Sequence, residues 1–270
     1  MEKHPIGIFD SGYGGLTVLK EIVALMPQYQ YYYLGDNARA PYGPLPYQTV
    51  YEYTLQAVNW FFGQGCQLVI LACNTASAKA LRTIQQNNLP SSKKVLGIIR
   101  PTAEVIGSYS KTGHVGVLGT VGTVQSESYI IEINKFFPEV QVHQQACPTW
   151  VALVENNNTN SQQASQEVKH DIGMLMQKNS ATDALLLACT HYPLLAHQIQ
   201  KHVPAHVTLI SQGQIVAQSL QQYLQQHPEI EVYSSKSHSI DYFTTGNAET
   251  FDAHAATFFG QAVASNTIQL

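Results

Sequence analysis

Two cysteines occupy matching positions in the chain, each at the end of an apolar run. Cys73 ends the run in LVILACNT, and Cys189 ends the run in LLLACTH. A thiol between a buried strand and a helix N-terminus meets the positive end of the helix dipole, which lowers its pKa and favours the thiolate. A single Ala-Cys is more typical of core packing, but two in matching contexts indicate chemistry.

Two thiols that face one carbon atom from opposite sides are suited to inverting its configuration. One thiolate removes the proton from Cα, and the other thiol delivers a proton to the opposite face. The Cα proton of an amino acid is very weakly acidic, so such a site must stabilise negative charge in a dry cleft. Asn74, Thr75 and Thr190, which follow the cysteines directly, supply hydrogen-bond donors.

The elements around these cysteines alternate between strand and helix patterns. Strands are predicted at 6–9, 31–34, 67–72, 114–118 and 183–188, and helices at 16–26, 50–62, 76–86, 124–136, 164–176 and 194–202. This alternation predicts an α/β fold with mainly parallel sheets. The similar order of elements in the two halves also predicts a duplicated unit.

Ligands of open α/β sheets bind beyond the carboxyl ends of the strands. Four predicted strands end in polar or thiol side chains, at Asp10-Ser11, Cys73–Thr75, Gly119-Thr120 and Cys189–His191. If the two halves face each other, these ends converge on one cleft.

Composition excludes several other classes of protein. The 270 residues carry 18 acidic and 14 basic side chains, a net charge of −4, and only 12% are charged, against about 25% in an average domain. Without a basic block, no nucleic-acid partner is expected. No apolar run is long enough for a membrane span, and no signal peptide is apparent, so a soluble cytoplasmic protein is expected. The remaining cysteines, Cys66 and Cys147, are expected to be reduced packing residues.

Several ordered motifs resemble one family. They are PIGIFDSGYGGLTVL at 5–19, LGDNARAPYG at 34–43, ACNTASA at 72–78, GVLGTVGTV at 116–124, CTHYPLL at 189–195 and FTTG at 243–246. Together they resemble the glutamate racemases of the aspartate/glutamate racemase family, and the CTHYP form points to glutamate rather than aspartate.

The resemblance implies roles for five residues. Cys73 and Cys189 would be the acid/base thiols, with neither pyridoxal phosphate nor a metal. The first cysteine would take the proton from D-glutamate and the second from L-glutamate. Asp10 would assist Cys73, whereas His191 and Glu155 would assist Cys189.

The resemblance also implies a substrate site and a domain arrangement. Substrate contacts would come from Asp10, Ser11, Tyr42, Gly43, Asn74, Thr75, Thr120, Thr190 and His191. Two pseudo-symmetric, doubly wound domains, 1–98 plus 209–270 and 99–208, would enclose the site in the cleft between them. The substrate would be L- or D-glutamate alone, and the product would supply peptidoglycan synthesis. No nucleic acid or membrane is implied as a partner, and a homodimer is left open.

Alternatives remain at this stage. Cys189 with His191 would also suit a cysteine-dependent hydrolase or acyl transferase, and a silent binding protein or an aspartate racemase would share the same pattern. Asp10 is also a residue type that caps helices, and Tyr42-Gly43 between two prolines is also typical of a turn. The glycines at 12–15 resemble a phosphate loop, but no Gly-Lys-Ser/Thr follows.

The chain departs from the family pattern at three places. Ser211-Gln212-Gly213 stands where Asp-Ser-Gly is usual, Asn247 where an acid is common, and Ala152 where proline is frequent. These departures leave contacts between the domains open.

Overall fold

The computed structural model describes residues 3–270, in which strands and helices alternate. The strands are β1 (Ile6–Asp10), β2 (Tyr31–Gly35), β3 (Leu68–Leu71), β4 (Lys94–Gly97), β5 (His114–Gly119), β6 (Gln141–Ala146), β7 (Ala184–Ala188), β8 (Thr208–Ile210), β9 (Ile240–Thr244) and β10 (Ser265–Thr267). The helices are α1 (Leu16–Leu25), α2 (Tyr47–Gly63), α3 (Asn74–Lys79), α4 (Leu81–Asn87), α5 (Ile99–Ile106), α6 (Val121–Gln125), α7 (Ser128–Phe136), α8 (Trp150–Glu155), α9 (Gln162–Lys178), α10 (Ala196–His202), α11 (Gly213–Gln226), α12 (Pro228–Glu231) and α13 (Ala248–Phe259).

The strands form two sheets with a repeated order. The first sheet has the order β10-β9-β2-β1-β3-β4, and the second has the order β6-β5-β7-β8. All neighbouring strands in these two sheets pair in parallel. The run β2-β1-β3-β4 therefore corresponds strand for strand to β6-β5-β7-β8. The predicted α/β fold with two pseudo-symmetric, mainly parallel sheets is confirmed.

Both faces of the first sheet are buried, because side chains alternate in direction along a strand. Ile8 and Ile70 belong to a hydrophobic cluster on one face, whereas Phe9 and Leu71 belong to a cluster on the other. The cluster that contains Ile8 also includes Leu187 of the second sheet. This shared core joins the two sheets and fixes the ends of their strands relative to each other.

The second sheet is inserted between β4 and β9 of the first. The chain returns through α11, which packs against α1. β8 pairs with β7 through residue 210, so the second sheet extends two residues past the predicted boundary at 208. The division into two domains itself stays a prediction. Within the described residues, none of the helices has the length and apolar character needed to cross a membrane.

The helix predicted at 124–136 is interrupted. Ser126 ends α6, and Glu127 has a φ of 54°, in the left-handed region. The Ser126 hydroxyl donates to the Thr123 carbonyl at 2.7 Å and accepts from the Ser128 amide at 3.2 Å. This local side-chain bonding competes with the helical pattern, and apolar periodicity does not reveal it.

Candidate active site

A cavity of about 300 Å³ lies where the carboxyl ends of β1, β3, β5 and β7 meet. Cys73 follows β3 and Cys189 follows β7, so the repeated strands place one thiol from each sheet on the cavity wall. Each cysteine is only 6% exposed. Eleven of the twelve predicted site residues line this cavity, namely Ser11, Tyr42, Gly43, Cys73, Asn74, Thr75, Thr120, Glu155, Cys189, Thr190 and His191.

Cys73 is held at the start of α3. Its Sγ accepts from the Ala76 amide at 3.4 Å and lies 3.5 Å from the Ser11 hydroxyl. Burial raises the pKa of Cys73 to about 12, and the negative charge of Asp10 adds to this rise. The prediction that the helix N-terminus lowers this pKa is therefore wrong, because desolvation of the thiolate outweighs the hydrogen bonds that stabilise it.

Cys189 heads a chain of three side chains. Its Sγ lies 4.0 Å from His191 Nδ1, and His191 Nε2 lies 2.9 Å from Glu155 Oε1. Burial disfavours the imidazolium, but hydrogen bonds to Cys189 and Glu155 outweigh it and raise the pKa of His191 to about 10. The arrangement therefore keeps a proton on the imidazole beside Cys189 near neutral pH.

Asp10 is the one predicted site residue that does not line the cavity. It is completely buried, and its carboxylate accepts from the Gly12 amide at 2.9 Å and from the Thr190 hydroxyl at 3.4 Å. Burial raises its pKa, although the nearby His191 opposes the rise. Asp10 does not cap α1, since Gly15 is the N-cap residue and no side chain bonds there. Asp10 thus lies behind the wall, where it braces a residue that contacts the cavity rather than the substrate itself.

Tyr42 lines the cavity without directing its hydroxyl into it. The phenol donates to the buried carboxylate of Asp36, which also pairs with Arg39 Nε at 2.7 Å. The loop therefore offers backbone groups to the cavity. At Gly43 a Cβ would lie 3.2 Å from Thr120 Cβ, and the Gly43 carbonyl accepts from the Gly122 amide at 3.0 Å. A loop of the first unit thus contacts the start of α6 in the second.

The polar groups of the wall are mainly uncharged. Thr75 and Thr120 bring their hydroxyl oxygens within 2.9 Å of each other. Across residues 3–270, no Lys or Arg side chain lines this cavity. The same residues contain no cluster of three or more His, Cys, Asp or Glu side chains arranged to hold a metal. Carboxylates of a ligand would therefore meet neutral hydroxyl and amide donors and the His191 ring.

The sequence-based interpretation missed part of the wall. Cys147, Pro148, Val151, Ala152 and Asn156 also line the cavity. Cys66 is buried at another place, as expected of a packing residue, but Cys147 adds a third thiol to the wall. Its Sγ donates weakly to the Gln145 carbonyl, with a separation of 3.7 Å. Apolar residues at this place carry no chemical signature, so only the fold could reveal them.

One departure from the family pattern has a local explanation. Asn247 caps α13, because its Oδ1 accepts from the Thr250 amide at 2.8 Å. Asn and Asp are equally suitable at this position, so the helix start is preserved without an acid.

Comparison with known proteins agrees with this geometry. The model of the Asp/Glu/hydantoin racemase family matches residues 14–220. A curated glutamate racemase of Enterococcus faecalis is 37% identical over 255 residues, which cover 94% of this chain and 92% of that protein.

Solved structures extend the similarity over the whole chain. A glutamate racemase isoform of Bacillus anthracis has a TM-score of 0.91 and 33% identity, covering 100% of this chain and 99% of that one. The glutamate racemase of Francisella tularensis, solved in complex with D-glutamate, has a TM-score of 0.88 and 27% identity, covering 100% and 98%. The chain therefore belongs to the Asp/Glu/hydantoin racemase family, as its motifs predicted, and it is an amino-acid racemase.

Proposed function

We propose that this protein interconverts L-glutamate and D-glutamate without a cofactor, using Cys73 and Cys189 as the two acid/base groups. The observation that carries the proposal is the presence of both thiols on one cavity wall, each at the end of the corresponding strand of a repeated unit. This symmetry suits a reaction whose two directions are mirror images, because each face of Cα meets the same kind of group.

The proposed step moves one proton at each thiol. Cys189 as a thiolate takes the Cα proton of L-glutamate, and the Cys73 thiol delivers its proton to the opposite face, so D-glutamate leaves a Cys73 thiolate behind. The reverse direction exchanges the two roles. His191, protonated near neutral pH, stabilises the Cys189 thiolate, and Glu155 holds the ring. The pKa of Cys73, about 12, is suited to a group that begins this direction as an acid.

Recognition of glutamate follows from the donors on the wall. Hydroxyls of Ser11, Thr75, Thr120 and Thr190, together with the Asn74 amide, line the cavity and suit the two carboxylates of the substrate. The high-identity relative, named a glutamate racemase, covers almost the whole chain, which supports glutamate over aspartate. Asp10 supports this site through the Thr190 hydroxyl.

D-Glutamate made in this way would supply peptidoglycan synthesis. Because the proposed reaction needs both thiols reduced, we place it in the cytoplasm, where thiols remain unpaired. Assembly into a homodimer stays a prediction.

The test is incubation of L-glutamate with purified, reduced protein in D₂O without added cofactor. Loss of optical activity with incorporation of one deuterium at Cα is expected, and a folded protein that gives neither result would refute the proposal. Cys73→Ser and Cys189→Ser should each abolish inversion. Cys66→Ser is the matched control, and it should leave the rate unchanged because Cys66 does not line the cavity.

One observation favours a second candidate. Cys189, His191 and Glu155 form the thiol, imidazole and carboxylate series of a cysteine hydrolase, with the thiol as nucleophile. This candidate predicts a single essential cysteine and a trapped acyl-thioester. The racemase proposal predicts two essential cysteines and no covalent intermediate, so mass spectrometry of the intact protein under turnover separates them.

A further inference from the structure

Behind the Asn74 side of the cavity, three buried side chains close a ring of hydrogen bonds. Asn74 Nδ2 donates to Gln212 Oε1 at 2.8 Å, Gln212 Nε2 donates to the Tyr129 hydroxyl at 2.6 Å, and that hydroxyl donates to Asn74 Oδ1 at 2.6 Å. All three residues are at most 4% exposed. Each member donates once and accepts once within the ring, so no member has an unsatisfied group in it.

The direction of this ring is fixed from outside. Gln212 Nε2 also lies 2.9 Å from Thr102 Oγ1 and 3.3 Å from the Ile98 carbonyl, and Thr102 Oγ1 itself donates to that carbonyl. A carbonyl oxygen only accepts hydrogen bonds. If the Gln212 amide were flipped, its own oxygen would face the Ile98 oxygen without a hydrogen between them. Gln212 must therefore direct its NH₂ group toward Ile98 and its oxygen toward Asn74.

The orientation of the Asn74 amide follows from that of Gln212. Asn74 must present its nitrogen to Gln212 Oε1, and its oxygen is occupied by the Tyr129 hydroxyl. Of the two Nδ2 hydrogens, one is used in the ring, and the other is left for a ligand in the cavity that Asn74 lines. A flipped amide would instead present oxygen to a carboxylate, which has no hydrogen to share with it.

We propose that Gln212 is a positioning residue that fixes the Asn74 amide with its N–H, rather than its carbonyl, available to a carboxylate of the substrate. The inference rests on the proposed function, in which the Asn74 amide binds glutamate. It also explains how the chain accommodates Gln212 in place of the usual residue: the longer side chain reaches α5, α7 and the start of α3 together.

The test is a double-mutant cycle on Gln212 and Asn74. The wild type, Gln212→Met, Asn74→Ala and the double variant are titrated with racemic glutamate by calorimetry, so that turnover causes no net reaction. Gln212→Met should weaken binding about tenfold, the range of a hydrogen bond to a charged group, and kcat should change much less. In the Asn74→Ala background, the same substitution should have no effect, because Gln212 acts through Asn74.

Effects that add in the two backgrounds would overturn the inference, since a merely structural role predicts additivity. Tyr129→Phe tests the same ring if Gln212→Met fails to fold, and unchanged binding in Tyr129→Phe would also overturn it. Thr102→Val is the matched control, because Thr102 contacts Gln212 but lies outside the ring, and a smaller loss is expected there. A wild type that does not racemise glutamate refutes the proposed function instead, so the two failures are distinguishable.

Discussion

Gly14 lies directly against the Cys189 side of the candidate site, and replacing it tests how tightly that side must be positioned. A Cβ at residue 14 would lie 2.5 Å from His191 Nδ1 and closer still to Thr190 Oγ1. Neither Gly14 nor Thr190 can withdraw easily, because Thr17 Oγ1 bonds to the Gly14 carbonyl at 2.8 Å and to the Thr190 carbonyl at 3.0 Å.

The expected size of the effect follows from these distances. Restoring an ordinary contact of 3.4 Å requires a displacement of about 1 Å, and a misplacement of that size at a catalytic group costs about 100-fold in rate. Gly14→Ala should therefore lower kcat/KM for glutamate about 100-fold. Because the two enantiomers have equal free energies in water, kcat/KM must fall by the same factor in both directions.

The assay is circular dichroism of the substrate solution, started from each enantiomer, with thermal unfolding of each variant as the test of folding. Gly173→Ala is the matched control, since Gly173 lies inside α9 and an added Cβ has nothing within 4 Å. It should keep full activity and gain about 1 kcal/mol of stability from helix propensity. A folded Gly14→Ala protein with unchanged kcat/KM would refute the positioning of His191 and Thr190 as an explanation of the site.

Three further predictions concern the pKa values and the contact between the two units. The pKa of His191 is raised from 6.5 to about 10, so its stabilisation is complete below pH 6.5 and is lost as the pH rises through 10. The unfolding free energy of the wild type should therefore fall relative to His191→Asn over this range, and parallel urea profiles would contradict this. Asp10→Asn should lower the pKa of Cys73, but burial, the larger cause, should keep it above the ordinary value; the pH dependence of Cys73 alkylation, followed by mass spectrometry, measures this shift, and an unmoved midpoint counts against it. Gly122→Ala should raise KM about fivefold through loss of one hydrogen bond, because a Cβ there would lie 2.7 Å from the Gly43 carbonyl oxygen; an unaltered KM would show that this contact does not shape the cavity.

Much of the fold could be predicted because strands that bury both faces read as continuous apolar runs. β3 and β7 are such runs, and the polar residues after them identified the site. The strands β4, β6, β8, β9 and β10 were not predicted individually. In β6, for example, His143, Gln144 and Gln145 break any apolar run, and the strand is held by its pairing with β5.

The parts of the site that escaped prediction depend on distant contacts. Pro148 and Val151 join the wall only because α8 folds against it, and no local pattern marks them. The direction of the Cys73 pKa shift was predicted wrongly because the helix start is local, whereas burial and the charge of Asp10 depend on the whole fold. Gln212 was recognisable only as a departure, since its partners lie on three other elements.

The two buried thiols also give the protein a memory of its last turnover. Under the proposed chemistry, inversion of L-glutamate leaves the proton on Cys189 and the negative charge on Cys73. The free protein thus has two tautomers, and each one accepts only one enantiomer. Since each cysteine is only 6% exposed, exchange with bulk water is restricted, and the return of the proton becomes a separate step of the cycle. At high glutamate concentration, the flux in one direction therefore drives a labelled tracer of the other enantiomer away from its equilibrium distribution.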